Sequence, residues 1–460
     1  MSSLVRQEKI PVTGEYDVVV VGGGPAGATA AIAAARLGAR VLVVEQFNCL
    51  GGVATAGGHG HFSKFNDGSE RRVVNGIAWE FGDRLVREGY GNGNPHGVLF
   101  EVEGFKYILD KMVKETPGLD VLYHTMFSET IVENGAVTGV IIQNKDGRQA
   151  IMAKRVVDCT GDGDVAASAG CPWEMGRPGD GKCQPVTLMF TIGGVDWPQV
   201  EKWRTSYPMK EVWAEAQRKG DMEPFQKTLM GFWWTPTRPD QVGVNFTHVI
   251  YIDSTKAADL THATMEARRQ AYLSIDVFRK YVPGMEACYM VSTPNTIGIR
   301  ESRRILGEYL LTETDVKEQR YFPDTIAYGS FFVDIHKIDG PGMEDAVWLP
   351  PTPFKYGIPY RSLVPLKVDN ILTAGRCVSC THVALGSIRV MVQCMAMGEA
   401  AGTAAVLSYR EQVVPRKLDV TLVQKQLQKQ GSIVCEKDIE RWANEPWDWS
   451  MRKSFGGNAR

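Results

Sequence analysis

Three arginines around a glutamate, two closely spaced histidines, and a cysteine pair followed by a histidine have the types and spacing for chemistry in this sequence. His59 and His61 stand at alternate positions in a glycine-rich stretch, and His382 closes the run Cys377-Val378-Ser379-Cys380-Thr381-His382. Imidazole titrates near neutrality, so each histidine is suited to give or take a proton at a reacting carbon. In Gly298-Ile299-Arg300-Glu301-Ser302-Arg303-Arg304-Ile305, Arg300 stands nearest the glycine and suits an anionic or carbonyl substrate group, while Arg303 and Arg304 fit a salt-bridge network. The C-x-x-C of Cys377 and Cys380 has the spacing of redox-active thiols, with loop packing as the simpler reading. Zinc would need two more ligands that the spacing does not offer. Asp162 and Asp164 begin like a calcium loop that no downstream Glu completes, so no metal site is expected.

Such groups need a scaffold, and the clearest one lies near the N-terminus. Tyr16-Asp17-Val18-Val19-Val20-Val21 is a β-branched run without alternation, which predicts a parallel strand buried on both faces. It ends in Gly22-Gly23-Gly24-Pro25-Ala26-Gly27. There Gly22 permits a sharp turn, Gly24 lets a pyrophosphate approach bare backbone, and Gly27 lets the next helix lie close on the sheet. The alanines of 28–35 favour helix and leave a thin face, and the helix start favours a dianionic linker. A second buried strand, Arg40 to Val44, leads into Glu45, close to the ~20 positions beyond the glycines at which an acidic residue takes ribose hydroxyls. The reading is a dinucleotide site.

Composition bounds the rest. A chain of 460 residues has room for two or three domains. Its 51 Lys and Arg against 53 Asp and Glu, a formal charge of −2, argue against a nucleic-acid or anionic-membrane partner. Residues 1–14 carry no apolar targeting core and no stretch reaches the ~20 apolar residues of a membrane span, so a cytoplasmic location is expected. Nine cysteines, an odd number, fit free thiols in a reducing compartment.

After Glu45 the chain runs Gln46-Phe47-Asn48-Cys49-Leu50-Gly51-Gly52-Val53-Ala54-Thr55, and here it resembles the FAD-dependent oxidoreductases built like glutathione reductase. The resemblance implies FAD as cofactor and a Rossmann-like α/β FAD-binding domain with an interleaved mixed α+β substrate domain. It implies that Gly51, Gly52 and Thr55 follow the pyrophosphate and flavin. His59 and His61 would then stand near the flavin as proton-transfer group, substrate contact or covalent anchor. No second cysteine follows Cys49 at the spacing that disulfide chemistry needs. Strand-forming residues 121–153, with turns at Asn134-Gly135 and Asp146-Gly147, read as a strand plus a hairpin insertion at about 130–153, with adenine read around Met126 and Phe127. Thr160-Gly161-Asp162 resembles the second nucleotide contact. Gly375-Arg376, and a helix opened at Gly386 by Ser387 and Arg389, resemble the third, with the helix start aimed at the flavin pyrimidine. That geometry brings His382 to the flavin edge as first choice for acid–base work, with His61 in reserve. The stretch Tyr356 to Leu363, also similar to this family, offers Tyr360 and Arg361 as contacts to flavin or substrate.

The expected organisation is an FAD-binding part at 1–170, a tryptophan-rich substrate domain at 171–360, an FAD-binding return at 361–415, and a helix and tail at 416–460. Helices are expected at 75–90, 104–114, 261–282 and 418–430, with strands at 186–192 and 242–246. Trp442, Trp447 and Trp449 in the tail are candidates to cover a cleft or a subunit contact, which leaves a homo-oligomer open. No second G-x-G-x-x-G follows a strand between residues 170 and 361, so electrons are not expected from a dedicated NAD(P)H domain. The expected reaction is hydride transfer from a small organic substrate to flavin N5, with oxygen, a quinone or a protein as acceptor. Two alternatives stand beside it: fumarate-reductase-like reduction of an activated C=C bond with Arg300 or Arg361 as acid, and an FAD relay working through the Cys377 and Cys380 thiols.

Overall fold

The computed structural model describes residues 7–69, 71–94, 97–206, 209–225 and 231–443. Its seven-stranded sheet contains a parallel layer in the order Leu119–Leu122, Val41–Val44, Val12–Val21, Gly147–Asp158 and Ile371–Thr373. Val18 to Val21 are at most 2% exposed, which is why their run lacks polar alternation. The two faces are still distinct. Val18, Val20, Val41 and Val43 join the core under the helices, whereas Val19, Val21, Leu42 and Val44 join a second cluster with Ile142, Val156 and Ile305.

The hairpin expected at about 130–153 is present and is continuous with this sheet. Met126–Glu133 and Ala136–Asn144 run antiparallel around Asn134 and Gly135, both at positive φ. Gly147–Asp158 then carries the chain into the parallel layer. Its first half pairs with Ala136–Asn144 and its end, Val156 to Asp158, with Ile371–Thr373.

The alanine helix, Pro25–Arg36, packs directly on the long helix Met391–Arg410. A Cβ on Gly398 would lie 2.0 Å from the Ala26 carbonyl oxygen, and one on Gly402 would lie 2.1 Å from that of Ala30. Thr29 Oγ1 donates to the Met395 carbonyl at 2.8 Å across the same contact. The small side chains of both helices therefore allow backbone to approach backbone. The helix expected to open at Gly386 is broken in two. Thr381 caps His382–Ile388 by accepting from the Ala384 amide, and the chain bends by 92° at Arg389 and Val390 before Met391–Arg410 begins. No single helix among the described residues is long and apolar enough to cross a membrane.

A separate four-stranded antiparallel sheet runs in the order Gly231–Thr235, Arg238–Asn245, Phe190–Gly193 and Tyr289–Ser292, and the helix Ala257–Tyr281 packs its Phe278 against Trp213 and Phe246 in the same core. The strand expected at 186–192 is shorter, because Val186 and Thr187 instead form single bridges to Val249 and Gly298. The second bridge fixes the segment that carries Arg300. The remaining expected helices appear as Ile77–Arg87, Val102–Glu115 and Val420–Lys429. Trp442 packs on the main core, while Trp447 and Trp449 lie outside the described residues.

Candidate functional site

The loops at the C-terminal ends of the parallel strands enclose a cavity of about 820 Å³, within the usual range for ligand pockets. Its first end is built by the glycine turn. Gly22, at φ +90°, has no room for a Cβ, which would meet the Cys159 carbonyl oxygen at 2.5 Å, and a Cβ on Gly27 would lie 1.8 Å from the Gly22 oxygen. Gly24 differs, because a Cβ there meets nothing within 4 Å and would project into open space. The helix that starts after it has no side-chain cap, and Gly22, Gly24, Pro25 and Ala26 all line the cavity. Bare amides at a helix start facing an open space suit a pyrophosphate.

Around this turn the remaining nucleotide candidates converge. Glu45 and Gln46 line the cavity at the end of Val41–Val44, with Thr125, Met126 and Phe127 beside them. Glu45 accepts from the Gly23 amide at 2.7 Å and the Phe47 amide at 2.8 Å, which fixes its carboxylate at the turn. Gly52, Thr160, Gly161, Asp162, Gly375 and Arg376 complete the wall. Asp158, fully buried, shapes the Thr160-Gly161 turn by accepting from the Thr160 amide and hydroxyl and the Ala166 amide. Arg376 donates to Asp162 at 2.7 Å and to Ser302 at 2.6 Å, and so crosses the Gly161 backbone. Val390 and Met391 bring a second helix start without a side-chain cap to the cavity, and its partial positive charge faces inward.

The other end is lined by His59, His61, Trp233, Arg300, Phe331, Asp334, His336 and Arg389. The His59 ring lies 5.0 Å from Trp233 and 6.4 Å from His61. Burial, then the neighbouring His61, Arg300 and Arg389, pull His59 down to about 3, and burial pulls His61 down to about 4, so both are neutral imidazoles. His336 is likewise drawn down to about 3 by burial and Arg300. Burial pushes the Asp334 carboxyl up, but His336, Arg389 and Arg300 outweigh it, and its Oδ2 accepts from Arg389 at 3.0 Å. Arg300, 7% exposed, donates from Nη1 to the Pro185 carbonyl at 2.8 Å. Burial, then Arg389, lower its affinity for a proton, and Asp334, already held by Arg389, offsets only part of this, so the cation lacks a close carboxylate partner of its own among the described residues.

Several expected site residues do not reach the cavity. Gly27 and Gly51 act through backbone packing; the Gly51 amide, at φ +99°, donates to the Gly23 carbonyl at 2.7 Å. Thr55 is turned inward and donates to the Leu50 carbonyl at 2.5 Å. Ser387 sits inside the short helix, bonded to the Phe331 carbonyl and the Tyr356 hydroxyl, because the break comes two residues later. His382 points away into a buried cluster in which Glu301 Oε1 meets His382 Nδ1 at 2.8 Å and Arg304 at 2.5 Å. Arg303 donates to the Asp162 carbonyl at 2.8 Å and pairs with Asp164, as a salt-bridge role predicts. Tyr360 donates to the Pro415 carbonyl and Arg361 pairs with Asp324 at 2.9 Å. Both line a separate pocket of about 350 Å³ with Glu308 and Arg416. Cys377 and Cys380 are fully buried, and burial pushes both thiols up, away from the low-pKa state of a reactive pair.

Asp334 and His336 are the residues that sequence reasoning missed. They lie in irregular chain, and their only signal is the i, i+2 spacing of two polar groups in Phe331-Phe332-Val333-Asp334-Ile335-His336.

A model of the family described as FAD dependent oxidoreductase matches residues 17–427. The chain is 34% identical over 196 residues to digeranylgeranylglycerophospholipid reductase 2 of Methanothermobacter thermautotrophicus, covering 40% of this chain and 48% of that protein. It is 36% identical over 128 residues to thiamine thiazole synthase of Aeropyrum pernix, covering 27% of this chain and 43% of that protein. The chain thus spans less than half the length of these two relatives. Among solved structures, a geranylgeranyl bacteriochlorophyll reductase-like protein of Thermoplasma acidophilum aligns over 95% of this chain and 97% of its own, at 15% identity and a TM-score of 0.44.

Proposed function

The chain belongs to the FAD dependent oxidoreductase family, matched over residues 17–427, and on that premise we propose that it is a dehydrogenase or oxidase of a small organic substrate carrying a CH–OH, CH–NH or CH–CH unit. FAD fits the donor set: open space at Gly24, an uncapped helix start and the Glu45 carboxylate suit its diphosphate and ribose, and the Val390-Met391 helix start suits its pyrimidine. Bound there, FAD supplies two-electron chemistry, its N5 exchanging hydride with the substrate carbon. We read the nucleotide part as the glutathione-reductase type, because the parallel layer is assembled from chain on both sides of the tryptophan-rich middle. The domain limits given above, a cytoplasmic location and oxygen, a quinone or a protein as electron acceptor belong to the same proposal.

One observation carries it. A single cavity joins the glycine turn to an end where a buried arginine stands beside two neutral histidines. Arg300 orients the substrate. His59, which feels the Arg300 charge, takes the proton that leaves as the carbon is oxidised, with His61 behind it. Trp233 and Phe331 limit water at the reacting carbon. This assignment moves acid–base work from His382 to the histidines that line the cavity.

The reverse direction, reduction of an activated C=C bond, is a second reading supported by the reductase names among the relatives and by Arg300 as an acid weakened in its hold on a proton. Anaerobic mixing of the flavin-loaded protein with alcohols, amines and sugars tests the first reading. Loss of the oxidised-flavin absorbance with one of them supports it. If none bleaches the flavin while a dithiol does so readily, the dehydrogenase reading fails.

A further inference from the structure

Among the described residues four arginines line the cavity, and three have carboxylate partners. Arg204 pairs with Glu201 at 2.9 Å, Arg376 with Asp162 at 2.7 Å, and Arg389 with Asp334 at 3.0 Å. Arg300, the most buried of the four, makes one hydrogen bond, to the Pro185 carbonyl, and no ion pair among the described residues. The acids of the cavity are already engaged. Glu45 accepts from backbone amides, Asp162 and Asp334 are held by their arginines, and Asp164 is paired with Arg303; Asp334 also acts on Arg300, but through space and without forming an ion pair with it among the described residues. The four histidines around this end, His59, His61, His248 and His336, are all drawn down to about 3 or 4 by burial and carry no compensating charge. A guanidinium has five N–H donors and Arg300 uses one of its two Nη1 donors on the protein. An unpaired buried cation is costly, and removing that cost is what an anionic ligand would contribute.

We propose that the substrate is a carboxylic acid, whose carboxylate pairs with Arg300 while its oxidisable carbon lies toward His59 and Trp233. This rests on the reading of the cavity as a hydride-transfer site. A carboxylate fits better than a larger dianion, because a single guanidinium edge offers two parallel N–H bonds to two oxygens and the region has one uncompensated positive charge. Binding would also act on the proton acceptor. Burial and His61 hold His59 down most, and Arg300 comes next, so pairing Arg300 with an anion removes one of the smaller influences that keep His59 from taking a proton.

Calorimetric titration of the flavin-loaded protein with acetate, lactate, benzoate and mandelate, each against its own amide, tests this directly. At least one acid is expected to bind about 10- to 100-fold more tightly than its amide, the worth of a charge-assisted pair at a buried site. In R300Q that difference is expected to vanish, with bound FAD and melting temperature showing that the variant is folded. If R300Q does not fold, the acid-to-amide ratio of the unmodified protein decides alone. Equal affinity for acids and amides, no binding of any acid at millimolar concentration, or an undiminished ratio in R300Q overturns the proposal. The readout is heat rather than turnover, so the two readings can fail separately. Acids that bind through Arg300 without ever reducing the flavin would sink hydride transfer and leave the carboxylate site standing.

Discussion

Replacing Gly24 by alanine separates holding FAD from holding the fold. The residue sits at φ −63° and ψ −170°, extended backbone that alanine adopts freely, and the added methyl meets nothing within 4 Å. The flavin-free protein should therefore keep its stability, or gain about 0.5 kcal/mol as the unfolded chain loses freedom. The methyl projects into the space assigned to the pyrophosphate. Pushing the phosphates off the helix start would cost about one charge-assisted hydrogen bond, roughly 1.5–3 kcal/mol, or about 10- to 150-fold in FAD affinity. Gly27→Ala provides the contrast, since its Cβ would fall 1.8 Å from the Gly22 oxygen and should destabilise the flavin-free fold by ~3 kcal/mol. Melting of the deflavinated proteins and FAD titration by fluorescence quenching measure the two quantities independently. An unchanged FAD affinity in Gly24→Ala, or a clear loss of flavin-free stability, would refute the assignment of this turn.

Other outcomes follow from particular contacts. Burial raises Glu399 to about 7, where it accepts from the Ile77 amide at 2.9 Å and the Ser432 hydroxyl at 2.8 Å. Its folded value lies above its unfolded one, so the stability it contributes is present below about 4.5 and is lost as pH rises through 7. Glu399→Gln should thus flatten that part of the melting profile and stabilise the protein above pH 7 by ~2 kcal/mol; identical profiles would count against it. His59→Gln should slow single-turnover flavin reduction by ~10²-fold. His382→Gln, which disturbs only the buried Glu301 cluster, should lower the melting temperature by the equivalent of ~1–3 kcal/mol and leave the rate per bound flavin intact. Tyr360→Phe and Arg361→Gln lie at the separate pocket and should leave that rate within about twofold. A large loss of rate in either would return them to the site.

The nucleotide end was legible because its requirements are local. A strand buried on both faces must be apolar throughout, a turn that brings phosphate to backbone must be glycine, and a helix that meets another backbone to backbone must be alanine and glycine. Each requirement leaves a mark within a few residues, as at Val18 to Val21, Gly22 to Gly27, and Gly398 and Gly402. Arg300 was legible for a related reason, since it follows the glycine that bridges to Thr187. The break at Arg389 and Val390 left no such mark, because no proline or glycine stands at the bend; a Cβ on Gly386 would lie 2.9 Å from the Asp334 carbonyl oxygen, and Arg389 is held by the same residue. That bend decides that Arg389 enters the cavity and Ser387 does not.

The sequence by itself therefore determined the cofactor class, the parallel layer and which glycine-rich segments reach the cavity, all properties of short segments whose backbone geometry dictates residue type. Tertiary structure alone decided which ionisable groups share the cavity. His382 and Arg300 look equally suited to chemistry as residue types, yet Glu301 takes the first into a buried ion cluster, while among the described residues no carboxylate forms an ion pair with the second, which bonds the Pro185 carbonyl. Charge pairing is set by side chains that meet from distant parts of the chain, as Asp334 meets Arg389 and Asp162 meets Arg376. Which cation is left without an ion pair among the described residues is a property of that three-dimensional sum.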